Sequence, residues 1–183
     1  MSDSWLEQTR SLWNFTGDKR PDFAVPPQEG QESVWDYPRP PAIEADDRLV
    51  TVAIEGVEIA RTTRAMRVLE TASPPTFYLP RSDVQSEYLQ PASGTSFCEW
   101  KGEATYWSVV VPEHPPGLKV AWSYEQPFPQ FEAIKGYLAF YPSRVDCCVG
   151  GIRVQPQAGG FYGGWVTPEI VGPFKGEPGS QGW

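Results

Sequence analysis

Histidine occurs once and cysteine three times in 183 residues, so the side chains behind most hydrolytic and zinc chemistry are nearly missing. A Ser-His-Asp or Cys-His arrangement would have to recruit His114, which stands in the turn sequence PEHPPG. There is no C-x-x-C pair, and two of the three cysteines are the adjacent Cys147 and Cys148. A closed tetrahedral zinc site and a disulfide framework are both poor readings of that pattern. A carboxylate-bound Mg²⁺ or Ca²⁺ is open only at the stretch EADD, and acidic loops of that kind are usually just solvated. Neither G-x-x-x-x-G-K-[ST] nor a G-x-G-x-x-G following a strand is present, so no nucleotide cradle of those types, no metal and no cofactor is expected.

Long apolar runs are absent too. No stretch approaches the roughly 20 residues that span a bilayer, and MSDSWLEQTRSLW has no basic segment followed by an apolar one, as a secretory signal would. With so few cysteines, a reduced cytoplasmic setting is the expectation. Positive charge is scarce: 15 Lys and Arg stand against 23 Asp and Glu, a net charge of −8. That field opposes a general affinity for nucleic acid or an anionic membrane, while leaving room for a local basic pocket.

Proline (20) and glycine (17) are abundant and interrupt the chain every few residues, which favours short strands over long helices. Aromatics at 14% supply the buried area such a chain needs. A mainly β domain follows, with one core and extensions. Residues 1–31 read as an N-terminal helix and arm, 32–155 as the β core, and 156–183 as a Gly/Pro/aromatic extension packing back on the body or on a second subunit.

Within the first segment, Ser2 or Asp3 can cap a helix that brings Trp5, Leu6, Thr9, Leu12 and Trp13 to one face and ends near Gly17. DRLVTVAIEGVEIARTT is a hairpin that turns at Glu55-Gly56. RAMRVLET and TFYLP read as strands, and RSDVQSEYLQP as a short helix capped by Ser82 before Pro91. Further strands are expected over 103–111, 118–124, 137–141 and 151–154. The echo between FYLPRSD and FYPSRVD suggests turn-fixing ion pairs, Arg81 with Asp83 and Arg144 with Asp146. Phe161, Tyr162, Trp165 and Phe174 are expected to be buried, since leaving them wet forfeits roughly 1.5–3 kcal/mol each.

The stretch SFCEWKGEATYWSVVV concentrates the chemistry. Counted by twos from Lys101, it places Lys101, Glu103, Thr105, Trp107 and Val109 on one face. That face is either a solvent face with one aromatic anchor or the wall of a polar-aromatic pocket. Cys98 is either a small buried apolar group or, if Lys101 shares its space, a thiol of lowered pKa.

The blocks ESVWDYPRPP, IARTTRAMRVLETASPPTFYLPRSDV, FCEWKGEATYWSV and AWSYEQPFPQFEAIKGYLAFYPSRVD, in this order from Glu32 to Asp146, resemble the domain-of-unknown-function family numbered 427, also labelled nucleotidyltransferase-like. The resemblance implies a compact antiparallel β domain of the β-tent type, in which two sheets meet at an angle. Some proteins of that architecture hold a small ring in a cage of tryptophans, and others a zinc between C-x-x-C knuckles that this chain lacks. The family's recurring residues fall here on Trp35, Pro38, Glu70, Tyr78, Pro80, Cys98, Trp100, Lys101, Gly102, Tyr106, Trp107, Trp122 and Tyr124. Glu70, if buried, requires a cationic or hydrogen-bonding partner, for which Lys101 and Arg64 are the candidates.

Three readings result. The first is a binding domain for a small planar, nucleotide-like molecule, with Trp35, Tyr78, Cys98, Trp100, Trp107, Trp122 and Tyr124 around it. The second is an enzyme acting on that molecule, with Glu70 as general base and Lys101 stabilising negative charge. The third is a homodimeric interaction protein that uses its aromatic tail and has no ligand. The sharpest structural expectation is that Lys101 and Trp107 face a pocket shared with Glu70, Tyr78 and Trp122.

Overall fold

The computed structural model describes residues 3–183. Helix α1 spans Asp3–Arg10, and the capping role assigned to Ser2 lies outside the described residues. The helix is shorter than its apolar spacing suggests. Leu12 is left exposed, and Trp13 departs from the helical path to donate Nε1–H to Glu99 Oε1 at 2.8 Å.

Eleven strands build two antiparallel sheets: β1 (Ala42–Asp46), β2 (Val50–Ile54), β3 (Val57–Thr62), β4 (Ala65–Glu70), β5 (Ser73–Leu79), β6 (Leu89–Cys98), β7 (Gly102–Val109), β8 (Gly117–Ser123), β9 (Leu138–Phe140), β10 (Asp146–Val149) and β11 (Ile152–Arg153). The larger sheet runs β1-β4-β5-β9-β8-β7-β6, and the smaller β11-β10-β2-β3. The chain is thus mainly β, as its composition implies. The β2–β3 hairpin turns at Glu55-Gly56, where both residues have positive φ (50° and 79°), the backbone a two-residue hairpin turn of this kind demands. Along β2, Val50, Val52 and Ile54 are buried while Thr51 and Ala53 are half-exposed, so period two holds.

Alternation divides the larger sheet into two unlike faces. Phe77, Leu79, Val109, Leu138 and Phe140 meet β2, β3 and β10 of the smaller sheet in the principal core. On the opposite face Val68, Tyr78, Ala104, Trp122, Ala139 and Tyr141 form a second, strongly aromatic cluster, joined by Phe131 and Ile134 from the connection 129–134. A third cluster holds Trp35 with Val34, Tyr37 and Leu69, covered by Phe15 and Trp183.

The C-terminal segment is woven into these layers. Residues 165–166 pair with 155–156, and 170–171 run parallel to 32–33. Trp165 is fully buried in the principal core, stacked on Phe77 at 4.9 Å and donating Nε1–H to the carbonyl of Phe140. Tyr162 and Phe174 are half-buried. Phe161, expected to be buried, is 70% exposed, because it stands on the tip of a loop where its one aromatic contact is Tyr162.

Two local expectations need correction. RSDVQSEYLQP forms two single 3₁₀ turns, Arg81–Asp83 and Ser86–Tyr88, with no side-chain cap, and Pro91 lies inside β6. The segment is too short to repay helix nucleation, and β7 recruits its end as a strand. The echoing Arg and Asp residues do not pair with one another. Asp83 accepts from Arg64 and Thr62, Arg81 reaches Glu125, Arg144 binds the carbonyl of Lys119, and Asp146 pairs with Arg153. Cross-strand neighbours satisfy these groups better than residues two apart in the same turn.

Candidate functional site

A row of side chains crosses the aromatic face of the larger sheet. The register aligns Met66 with Tyr78, Tyr78 with Ala139, Ala139 with Trp122 and Trp122 with Tyr106. Each residue comes from a different strand. Ala139 puts a single methyl between two large rings, so the row is deepest where Tyr78 and Trp122 flank it. Trp122 Nε1–H donates to the Tyr78 hydroxyl at 3.3 Å.

Above this row lies a cavity of about 320 Å³. Tyr78, Ala104, Tyr106, Trp122, Tyr124 and Tyr141 contribute from the sheet side, together with Val68, Glu70 and Thr76. Cys98, Glu99 and Lys101 enter from the tip of the β6–β7 hairpin. Trp13 from the N-terminal arm and Gln157, Phe161, Tyr162, Gly163, Gly164 and Lys175 from the C-terminal segment complete the wall.

The hairpin explains how Lys101 reaches this space. Cys98 pairs with Gly102, so Glu99, Trp100 and Lys101 form the turn and are not part of the strand. Gly102 has φ 98°, a value that suits glycine and lets the chain reverse there. Period two therefore starts at Gly102. Ala104 and Tyr106 face the cavity, and Trp107 faces the opposite way, donating to Ser123 Oγ at 2.8 Å beneath the Arg81 guanidinium. Lys101 and Trp107, expected on one face, therefore do not share it: the turn at residues 99–101 interrupts the strand period between them, and Tyr106 takes the cavity position expected of Trp107.

Two further tryptophans stand away from the cavity. Trp100 is buried behind the hairpin turn under the guanidinium of Arg10, and its Nε1 has no hydrogen-bond partner. Trp35 is sealed in the third cluster, where Nε1–H donates to the carbonyl of Pro173. Of the residues singled out from sequence, Glu70, Tyr78, Cys98, Lys101, Trp122 and Tyr124 do meet around one space.

Their electrostatics are specific. Glu70 Oε1 accepts from Arg39, with Nη2 at 3.2 Å and Nε at 3.3 Å, while Lys101 Nζ is 4.0 Å from Oε2. Arg39 also donates to the carbonyls of Phe15 and Thr71, so it is the fixed member of the pair. Arg64, the other proposed partner, is engaged by Asp83 on the surface. Burial opposes the Lys101 ammonium, but Cys98, Tyr78 and Glu70 facing it outweigh that penalty and hold its pKa above the ordinary lysine value. Tyr78 is pushed up to about 12 by burial, so it stays a neutral phenol. Lys175 behaves in the opposite way. Burial, aided by Arg39, lowers it to about 8.

The tail glycines serve close packing. A Cβ on Gly163 would stand 2.1 Å from Trp122, and one on Gly164 2.2 Å from Gln157 Oε1. The Gly164 N–H is already spent on that same oxygen. Among the described residues, no group of three or more His, Cys, Asp and Glu is placed to hold a metal. Two of the three carboxylates of EADD are occupied by arginine, Glu44 by Arg67 and Asp46 by Arg48, while Asp47 is exposed.

Sequence reasoning missed Trp13, Arg39, Tyr141 and Lys175. Tyr141 was accessible through parity with Ala139. Lys175 carried one signal, a lone lysine in the apolar run VGPFKG, but nothing local says that this run folds over Cys98.

Among the described residues, no helix is long and apolar enough to cross a membrane. No curated protein matches the sequence. The family model described as a domain of unknown function, DUF427, matches residues 42–151. It takes in both sheets up to the end of β10 but neither Trp13 nor the C-terminal wall of the cavity. On that match the chain belongs to the DUF427 family.

Proposed function

We propose that this protein is a binding domain for a small planar polar molecule of about the size of a nucleobase. The observation that carries the reading is the buried ammonium of Lys101, which opens onto an aromatic-walled cavity with its nearest carboxylate oxygen at 4.0 Å. A desolvated cation held that loosely retains most of its capacity for a polar ligand edge. The rings of Trp122, Tyr124 and Tyr78 line the same space and supply apolar faces beside it. A volume of about 320 Å³ stands at the lower end of the roughly 300–1,000 Å³ typical of small-molecule sites. That size suits a single ring system better than a nucleotide with its phosphates.

The contacts of Glu70 favour binding over base catalysis. One of its oxygens is committed to Arg39, which leaves only the other, the one nearer Lys101, to face a ligand. Titration of nucleobases and small heteroaromatic acids against tryptophan fluorescence tests the reading. Saturable quenching, weakened roughly tenfold or more by Lys101→Met, is the expected result. Absence of quenching across the panel, or indifference to Lys101→Met, refutes it.

A further inference from the structure

The chain has five lysines. Lys19, Lys119 and Lys135 are exposed, while Lys101 and Lys175 are buried and line the same cavity. The two buried amines are not equivalent. Lys101 faces Glu70 and Cys98. Lys175 makes no ion pair within 4.0 Å among the described residues. Its Nζ lies instead 3.4 Å from the centre of the Trp13 ring and 5.5 Å from that of Tyr162.

The backbone around Lys175 is pinned. Its N–H donates to the carbonyl of Ala72, and its own carbonyl accepts from Gln157 Nε2, both at 2.7 Å. The amine is thus presented into the cavity by a fixed segment. A buried amine near the Arg39 guanidinium and without a carboxylate in ion-pair reach is the arrangement that makes lysine a better nucleophile. Burial is the largest influence on it and disfavours the ammonium, as does Arg39; Glu70, Glu99, Cys98 and the ring face of Trp13 favour it.

We propose that Lys175 is a carbonyl-reactive amine that forms a Schiff base with a small planar aldehyde seated in the cavity, with Lys101 holding an anionic group on the same ligand. The inference rests on the ligand-binding reading given above. The Nζ lone pair adds to the carbonyl carbon, and the C–O π electrons pass to oxygen. The carbinolamine then loses that oxygen together with both amine hydrogens as water, leaving C=N. No electrons are exchanged with a third party, and the step is reversible. Trp13 and Tyr162 shield the amine from solvent, and the Lys101 charge supplies the orientation.

The full chain is incubated with para-carboxybenzaldehyde and cyanoborohydride, and the reduced adduct is located by peptide mass mapping. Modification of Lys175 roughly tenfold or more faster than of Lys119 or Lys135 is expected, with a rate that rises through a midpoint of about 8 and is lost in Lys175→Arg. Labelling spread evenly over the exposed lysines, or unchanged in Lys175→Arg, overturns the proposal. The unreactive para-hydroxymethylbenzoate is titrated in parallel by tryptophan quenching. Quenching without selective trapping refutes the Schiff base and leaves the binding reading standing; neither quenching nor trapping removes both.

Discussion

Replacing Gly163 by alanine probes the contact that closes the cavity. The new methyl would stand 2.1 Å from Trp122 Cη2, 2.8 Å from Cζ3 and 3.1 Å from Cζ2, whereas carbon atoms settle at about 3.5–4.0 Å. Gly163 is not among the glycines with positive φ, so backbone strain adds nothing and the whole effect is steric. Either the tail lifts or the indole moves by about 1.4 Å, and the indole is held by Tyr78 on one side and by Tyr141 at 4.4 Å on the other. Overpacking of this kind costs about 1–3 kcal/mol, a fall in Tm of roughly 2–12 °C for a chain of this size. Thermal unfolding followed by circular dichroism reads that fall, and ligand quenching of Trp122 should weaken in the same variant. A double-mutant cycle makes the test specific: Trp122→Phe removes the three atoms concerned, so Gly163→Ala should cost far less in that background. An alanine variant as stable as the parent, or an equal cost in both backgrounds, would show that the tail does not rest on Trp122.

Three other outcomes follow from the same geometry. Glu70→Ala strips the carboxylate from Arg39, whose side chain is 1% exposed. It should destabilise by an amount in the lower part of the about 3–5 kcal/mol range for a broken buried pair, since two carbonyls still hold the guanidinium; urea unfolding unchanged within error would refute the pairing. Trp107→Leu should lower the melting temperature without altering the affinity of any ligand that quenches the protein, because Trp107 lies on the far face of the sheet; a parallel loss of affinity would place it in the site after all. For Lys175, the folded state releases a proton at about pH 8 and the unfolded chain at about 10.4, so between those values the unfolded state binds more protons and stability rises with pH. The parent should therefore gain stability relative to Lys175→Met across that window, as denaturant titrations at successive pH values would show; a difference that is flat or falls with pH contradicts the burial of this amine.

The mainly β character and many of the strands were legible because they rest on local facts. Proline and glycine spacing forbade long helices, and alternation in VTVAIEGVEIART marked a hairpin whose turn residues had to accept positive φ. Glu70, Lys101, Tyr78 and Trp122 stood out through the family resemblance as residues with more chemistry than packing needs, and they do converge. Trp107 and Tyr106 were exchanged, because a period-two count is only as good as its starting residue and the turn at Glu99–Lys101 resets it. Glu70 found Arg39, and not Arg64, because the choice between two cations depends on which strand edge the arm before β1 crosses. Sequence alone therefore determined the class of fold, the scarcity of histidine and cysteine chemistry, and a short set of unusual residues. Only the tertiary structure decided that Trp13 and Lys175, separated by most of the chain, close over the aromatic face of one sheet. Such contacts are set by packing between segments with no periodicity of their own, and burial there lowers the pKa of Lys175 well below the ordinary lysine value.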